Sequence, residues 1–178
     1  MSLATLTSSG RAGMAQAIAA MPLHFAWGSG LAVWDADPDG QHLKESLVGA
    51  TALVNELGRR AVTAVGYVLE DPEGEITIPV GRQPDGTVVT ARFRAVLEPT
   101  PFLYLRVNFD FADASNQVVR EVGIFLNTTI QEGLPPGQKY FTPDQLADPG
   151  RLLAIQRMDP SIARSPAVRQ TFDFVLAI

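Results

Sequence analysis

The sequence contains no cysteine, which excludes disulfides, thiolate metal sites and cysteine nucleophiles. Lysine is almost as rare, since only Lys44 and Lys139 occur among 178 residues that carry a formal net charge of −5. The arginines are scattered along the chain, whereas binding to nucleic-acid phosphates requires clustered positive side chains. We therefore expect no nucleic-acid partner.

Long apolar runs are also missing. The apolar stretch Met14–Pro22 is too short to span a membrane, and it is rich in alanine where a signal peptide would be rich in leucine. We therefore expect a soluble protein that is made in the cytoplasm and has no membrane partner. Hydrophobic residues make up 46% of the chain and charged residues 19%, which is typical of a globular protein and not of a disordered one.

The sequence offers few groups for catalysis. His24 and His42 are the only histidines, and the chain lacks the ligand spacing of a zinc site. It also lacks a Gly-x-Ser-x-Gly nucleophile motif and a glycine-rich phosphate loop. His24 stands beside Phe25 in a predicted strand, which favours a partly buried, hydrogen-bonded histidine. We predict that the protein is not an enzyme and binds no cofactor, and a small hydrolase is the least favoured function.

One acidic segment resembles the start of a calcium-binding loop. Asp35, Asp37 and Asp39 place carboxylates at alternate positions before a glycine. The second half of the loop departs from that pattern, because Ser46 occupies the twelfth position, where a bidentate glutamate is required, and Glu45 comes one place early. A solvated turn is the favoured interpretation, and the three aspartates are weak candidates for a metal site.

The first sixty residues indicate a helix, a strand and a loop region. Small and apolar residues recur with helical spacing over Arg11–Met21, and the proline that follows ends the helix. His24–Trp27 has the pattern of a short strand, and residues 35–50 are rich in turn formers. We predict a second short helix over Thr51–Leu57, ended by the glycine that follows it.

From residue 60 onward the apolar residues recur with period two, which is typical of strands with one buried face. About seven short strands separated by turn formers predict an α+β, mainly β fold. Its core is an antiparallel β-sandwich-like structure, with a short N-terminal helix and one further short helix. We predict that residues 1–60 carry the helix, first strand and loops, that residues 61–178 form the β core, and that both belong to one compact domain. The clearest predicted strands are Glu75–Val80, Thr87–Val96, Leu103–Phe111, Val118–Leu126, Leu152–Arg157 and Arg169–Ile178.

Six segments of the chain follow one another in a recognisable order. The most distinctive places an arginine–glutamate pair before a glycine and an aliphatic–aromatic pair. In this order the chain resembles the N-terminal attachment domain of phage tail fibres, the tail-collar fibre family, over most of its length. The six segments are Leu6–Ala12 with the alanine-rich helix after it, Phe25–Gly30, Thr51–Leu57 with Arg59 and Arg60, Arg120–Phe125, Leu152–Ile155 and Phe172–Ile178.

The resemblance implies a structural component of a phage or phage-like tail, a fibre-attachment or baseplate module that acts by protein–protein assembly. It implies a trimer of identical chains, with a dimer as the alternative, and contacts to other tail or baseplate proteins in the virion tail. No fibrous shaft or receptor-binding tip follows Ile178. This departure favours an adaptor, a baseplate part or a separately encoded fibre base over a protein that binds the host receptor directly.

Side chains in these segments are candidates for interface or structural roles. Gly123 within a strand permits close approach of another backbone or ring. Arg120 and Glu121 alternate to opposite faces, and a buried arginine or glutamate would need a partner from residues 56–60. The candidates are Arg59, Arg60, Arg120, Glu121, Gly123, Phe125, Phe172 and Phe174.

A carbohydrate-binding β-sandwich for recognition of the host surface is the alternative function. Such a module needs an aromatic ring beside polar side chains. Trp34 with Asp35 and Asp37 is the one cluster of this kind in the sequence.

Overall fold

The computed structural model describes residues 4–37, 39–83 and 87–178, and most of their regular structure is β-strand. The helices are α1 (Ser8–Ala19) and α2 (Gln41–Lys44), with two 3-10 helices at Ala32–Ala36 and Pro143–Gln145. The strands are β1 (Leu23–Gly28), β2 (Glu56–Ala61), β3 (Ala64–Glu70), β4 (Ile76–Arg82), β5 (Val88–Val96), β6 (Phe102–Phe109), β7 (Val118–Leu126), β8 (Thr129–Ile130), β9 (Tyr140–Phe141), β10 (Leu146–Asp148), β11 (Arg151–Ala163) and β12 (Gln170–Ala177). The predicted α+β, mainly β fold with antiparallel sheets and two short helices is confirmed.

Two compact units can be distinguished. The first contains the chain up to Met21, Thr63–Arg106 and Phe172–Ile178. The second contains Pro22–Val62 and Val107–Thr171. The chain therefore passes between the units several times, so that neither unit is a continuous stretch of sequence.

The first unit is organised around a five-stranded sheet in the order β12-β6-β3-β5-β4. Strand β3 pairs antiparallel with both β5 and β6, and β4 pairs antiparallel with β5. Val68, Ile78 and Phe93 form a buried apolar cluster on this sheet, and Val175 of β12 packs against it. Burial of such side chains is the main favourable contribution to the stability of the sheet.

Helix α1 also belongs to the first unit. It begins at Ser8, earlier than predicted, because the Thr7 hydroxyl accepts a hydrogen bond from the Gly10 N–H at 3.1 Å and caps the helix. Ala15 and Ile18 are its buried residues. The Arg11 guanidinium donates to the Ile178 carbonyl at 2.7 Å, which ties the helix to the other end of the described chain.

The second unit contains a five-stranded sheet in the order β11-β7-β1-β2-β9 and a two-stranded sheet of β8 and β10. All six residues of the central strand β1 are buried. The register aligns Ala26 with Arg59 of β2 on one side and with Gly123 of β7 on the other. The candidate residues Arg59 and Gly123 thus lie on the two strands that flank β1.

The helix predicted over Thr51–Leu57 is wrong. Asn55 adopts a positive φ of 52°, which a helix cannot contain, and β2 begins at Glu56. The segment lies instead along the turn after β1, where the Ser29 and Gly30 N–H groups donate to the Asn55 and Val54 carbonyls at 3.0 Å. Tertiary pairing has overridden the local helix preference, and the second helix of the fold is α2.

The strand predicted over Leu103–Phe111 ends two residues early. The Asp113 carboxylate accepts a hydrogen bond from the Asp110 N–H at 2.6 Å and turns the chain there. Phe109 is fully buried, but Phe111 is exposed, so the buried face of this strand ends at Phe109.

The strand predicted over Val118–Leu126 is confirmed with the same limits, because its buried face was clear in the sequence. Between this strand and β11 lie the three short strands β8, β9 and β10, which sequence patterning missed. Strands of two or three residues are too short to show a period of two.

Candidate functional site

Arg59 is one of two almost completely enclosed ionisable residues at the centre of the second unit, with 1% of its surface exposed. Its Nε and Nη2 donate to the two carboxylate oxygens of Glu56 at 2.7 Å each. Its Nη1 donates to the Thr128 hydroxyl at 2.7 Å and to the Pro149 carbonyl at 2.6 Å. The guanidinium also lies 3.8 Å from the centre of the Phe125 ring. All three guanidinium nitrogens of Arg59 therefore donate hydrogen bonds, and together they join β2 to the segments around residues 128 and 149.

Glu121 on β7 is also fully buried, but only one of its carboxylate oxygens is hydrogen-bonded within the described residues. One carboxylate oxygen accepts a hydrogen bond from the Val54 N–H, and the other has no hydrogen-bond partner in the part of the chain that the structure describes. Burial raises the pKa of Glu121 above its usual range. Arg59 pairs with Glu56, and Arg60 pairs with Asp113 at 2.5 Å, so the partner expected for Glu121 from residues 56–60 is not there.

Gly123 lies two residues further along β7, where side chains from two other segments converge on it. A Cβ at this position would lie 2.9 Å from Leu152 Cδ1 and 3.0 Å from Leu53 Cδ2. Leu53, Ala26 and Phe125 form the adjoining buried cluster. The close approach predicted at this glycine is therefore made by leucine side chains of the same chain.

Arg120 faces away from this core and holds the loop after β1. Its Nε and Nη2 donate to the two oxygens of Asp35 at 3.0 and 2.6 Å, and its Nη1 donates to the Ser29 carbonyl at 2.6 Å. Gly30 has a positive φ of 56°, and the Trp34 ring lies where a side chain would otherwise project. Arg120 thus fixes the position of residues 29–37, which we call the Trp34 loop.

A concave site opens beside this loop, and we call it the Trp34 pocket. Its volume is about 310 Å³. The His42 ring lies parallel to Trp34 with the ring centres 5.5 Å apart, and the Arg157 guanidinium lies 4.4 Å from the centre of the Trp34 ring. The polar and aromatic side chains that line it are Trp34, Asp35, Asp37, His42, Arg120, Asp159 and Ser161.

The aspartates proposed as weak metal ligands have other partners. Asp35 is paired with Arg120, and Asp37 accepts hydrogen bonds from the N–H and Nδ1 of His42 at 3.0 and 2.9 Å. The hydrogen bonds from Arg120 and His42 hold the pKa values of Asp35 and Asp37 below their usual range. Asp39 donates its N–H to Asp37 at 3.3 Å. No group of three or more metal-ligating side chains occurs among residues 4–37, 39–83 and 87–178.

Phe172 and Phe174 lie on β12, an edge strand of the first unit's sheet, and both are half-buried. Arg59, Glu121, Gly123 and Phe125, by contrast, are enclosed within the second unit. An interface role for the eight candidate residues stays a prediction.

His24 gives the second unit a predictable response to acid. It is buried on β1, and its Nδ1 has no hydrogen-bond partner among the described residues, contrary to the hydrogen-bonded histidine expected from the sequence. Burial, with a smaller contribution from Arg59, lowers the pKa of His24 to about 4. As the pH falls, His24 of the unfolded chain binds a proton near its ordinary pKa of 6.5, whereas His24 of the folded chain does so only near pH 4.

We therefore expect the stability contributed by neutral His24 to be complete above pH 6.5 and to be lost as the pH falls from 6.5 to about 4. The loss should be about 3 kcal/mol in the free energy of unfolding, because each pH unit between the two pKa values corresponds to about 1.4 kcal/mol. Urea unfolding at several pH values, compared between the native chain and His24→Phe, measures it. Parallel pH profiles for the two proteins would show that His24 does not carry the effect.

Comparison with known proteins decides the family. A family model described as "Baseplate wedge 3 tail fiber network component" matches residues 3–178. The chain belongs to this family. No curated protein matches the sequence.

Membership of the baseplate wedge family confirms the predicted class of protein. The protein is a structural component of a phage tail or baseplate, its family implies a location in the virion tail, and its interactions are with other tail proteins. The family is a structural one, which agrees with the prediction of a non-enzymatic protein. Among the described residues, no helix is long and apolar enough to cross a membrane.

Sequence reasoning singled out Trp34, Asp35 and Asp37 as a cluster but missed the other half of the Trp34 pocket. Arg120 and Ser161 come from β7 and β11, more than 80 residues further along the chain. No local pattern in the sequence connects these strands to the Trp34 loop.

Proposed function

We propose that this chain is a fibre-attachment module of the baseplate that acts by docking onto other tail proteins, without catalysis. The surface of the second unit supports the proposal. An apolar groove of about 350 Å³ lies beside the edge strand β11, and we call it the Val48 groove. It is lined by Leu47, Val48, Ala50 and Leu152–Ile155.

The exposure of Val48 carries the proposal. This apolar side chain is 97% exposed, and the other residues that line the groove are apolar as well. An exposed apolar groove is typical of a surface that another protein covers. The edge strand beside it can also offer backbone groups to a strand of the partner. The occupant that fits this surface is an apolar, extended segment of a neighbouring tail protein.

Incorporation into particles tests this role. We expect Val48→Asp to fold normally but to be reduced at least tenfold in purified tail particles, because a buried aspartate would be left without a partner. Val168→Asp is the matched control, since Val168 is also exposed but lies outside the groove. Quantitative mass spectrometry of the particles measures the incorporation, and equal incorporation of the two variants would contradict a docking role for the groove.

The number of copies is a separate part of the proposal. The resemblance to tail-fibre attachment domains supports a homotrimer, with a dimer as the alternative. Light scattering on the purified protein should then give about three times the chain mass of 19.2 kDa. A constant monomer mass at high concentration would contradict assembly of the isolated chain with itself.

A further inference from the structure

Beyond assembly, we propose that the Trp34 pocket binds a neutral saccharide unit. The pocket lies entirely within the second unit and is built from the Trp34 loop, β7 and β11. Its volume of about 310 Å³ is at the lower end of the range found for small-molecule sites, which suits one sugar ring.

The pocket presents carboxylate oxygens in fixed positions. Arg120 holds Asp35 through both of its oxygens, and His42 holds Asp37. An ionised carboxylate has about four acceptor sites, so each aspartate keeps capacity for further donors. The donors that match are hydroxyl groups, and a sugar ring carries several of them on adjacent carbons.

Charge compensation within the pocket disfavours a charged ligand. The negative charge of Asp35 is paired with Arg120 at 2.6 Å, and Asp37 is hydrogen-bonded to His42 at 2.9 Å. Asp159, which also lines the pocket, adds a further carboxylate. Among the described residues that line the pocket, none offers a cation without a carboxylate partner, so a phosphate or a carboxylate would have to shed water without an opposite charge to replace it. A neutral polyol has no such cost.

Apolar side chains form the remaining walls of the pocket. Leu43, Met158 and Pro160 line the pocket. These groups suit the C–H faces of a sugar ring, whose hydroxyls meanwhile reach the carboxylates. Trp34 is fixed by its contacts with the His42 ring, the Arg157 guanidinium and Gly30, so little side-chain freedom is lost when a ligand enters.

Saturation-transfer NMR with glucose, galactose, mannose and N-acetylglucosamine, each at about 10 mM, tests the proposal at the millimolar affinity typical of single sugar units. Inorganic phosphate and glucuronic acid are the charged comparisons. We expect at least one neutral sugar to bind. Ser161→Phe and Leu43→Trp, which fill the pocket from β11 and from α2, should weaken that binding at least tenfold. Ser46→Phe introduces the same ring outside the pocket and should leave binding unchanged.

Circular dichroism establishes that each variant is folded. If one of the two filling variants fails to fold, the other still tests the proposal. Absence of a signal from every neutral sugar would overturn the proposal. Binding of the charged compounds alone, or sugar binding that both folded filling variants retain, would also overturn it. Failure of the docking role would leave this result unaffected, because the two surfaces share no residues.

Discussion

Replacement of Arg59 by alanine should lower the free energy of unfolding by about 3–5 kcal/mol. The substitution leaves the Glu56 carboxylate without its partner and removes the donors to Thr128 and the Pro149 carbonyl. It also leaves a cavity over the Phe125 ring. The loss is large because a buried ion pair that is broken on one side leaves an uncompensated charge behind. Urea denaturation followed by circular dichroism measures the change.

Arg94→Ala is the matched control for Arg59. Arg94 pairs with Asp71 at 3.3 Å, but 56% of its side chain is exposed. Surface ion pairs contribute about 1 kcal/mol or less, so this variant should be nearly as stable as the native protein. If the two alanine variants lost equal stability, the enclosed network around Arg59 would not be the source of the effect.

Replacement of Trp27 by alanine should cost about 3–5 kcal/mol of stability. Trp27 is fully buried on β1 and stacks on Phe109 with the ring centres 3.6 Å apart. Its Nε1 donates to the Tyr140 hydroxyl at 3.2 Å, which in turn donates to the Leu57 carbonyl at 2.8 Å. The alanine variant loses the ring contacts and leaves a large cavity, and thermal and urea unfolding both measure the loss.

Tyr140→Phe separates the packing of Trp27 from its hydrogen bond. This variant keeps the aromatic ring and removes only the hydroxyl that Trp27 and Leu57 share. We expect a loss of about 1–2 kcal/mol, the range found when a buried hydrogen-bonding partner is deleted. A loss as large as that of Trp27→Ala would mean that the hydroxyl, and not ring packing, determines the stability of this region.

The parts of the fold that could be predicted are those with a strong local pattern. β7 was predicted to the residue because turn formers mark both of its ends. Thr51–Leu57 was predicted wrongly because good helix formers there are outweighed by backbone pairing with the turn at residues 29–30. Helix propensity differs by less than about 1 kcal/mol per residue for most side chains, so a few tertiary hydrogen bonds are enough to reverse it.

The candidate site shows the same limit. Trp34, Asp35 and Asp37 are close in sequence and could be recognised as a group. Their partners Arg120 and Ser161 are brought to them by strand pairing over long separations, which no single sequence displays. Glu121 is a further example, since its burial follows from the strand but its contact with the Val54 N–H depends on the unpredicted course of residues 51–57.

The imbalance between arginine and lysine has a practical consequence for chemical probing. The guanidinium groups of Arg59, Arg120 and Arg157 each bind backbone carbonyls as well as carboxylates, a geometry that a single ammonium group cannot reproduce. Dicarbonyl reagents that attack guanidinium groups will reach the enclosed Arg59 only when the second unit opens, whereas reagents for amines label Lys44 and Lys139 in the folded protein. The rate of modification at Arg59 thus reports on internal opening, and lysine modification can attach tags without disturbing it.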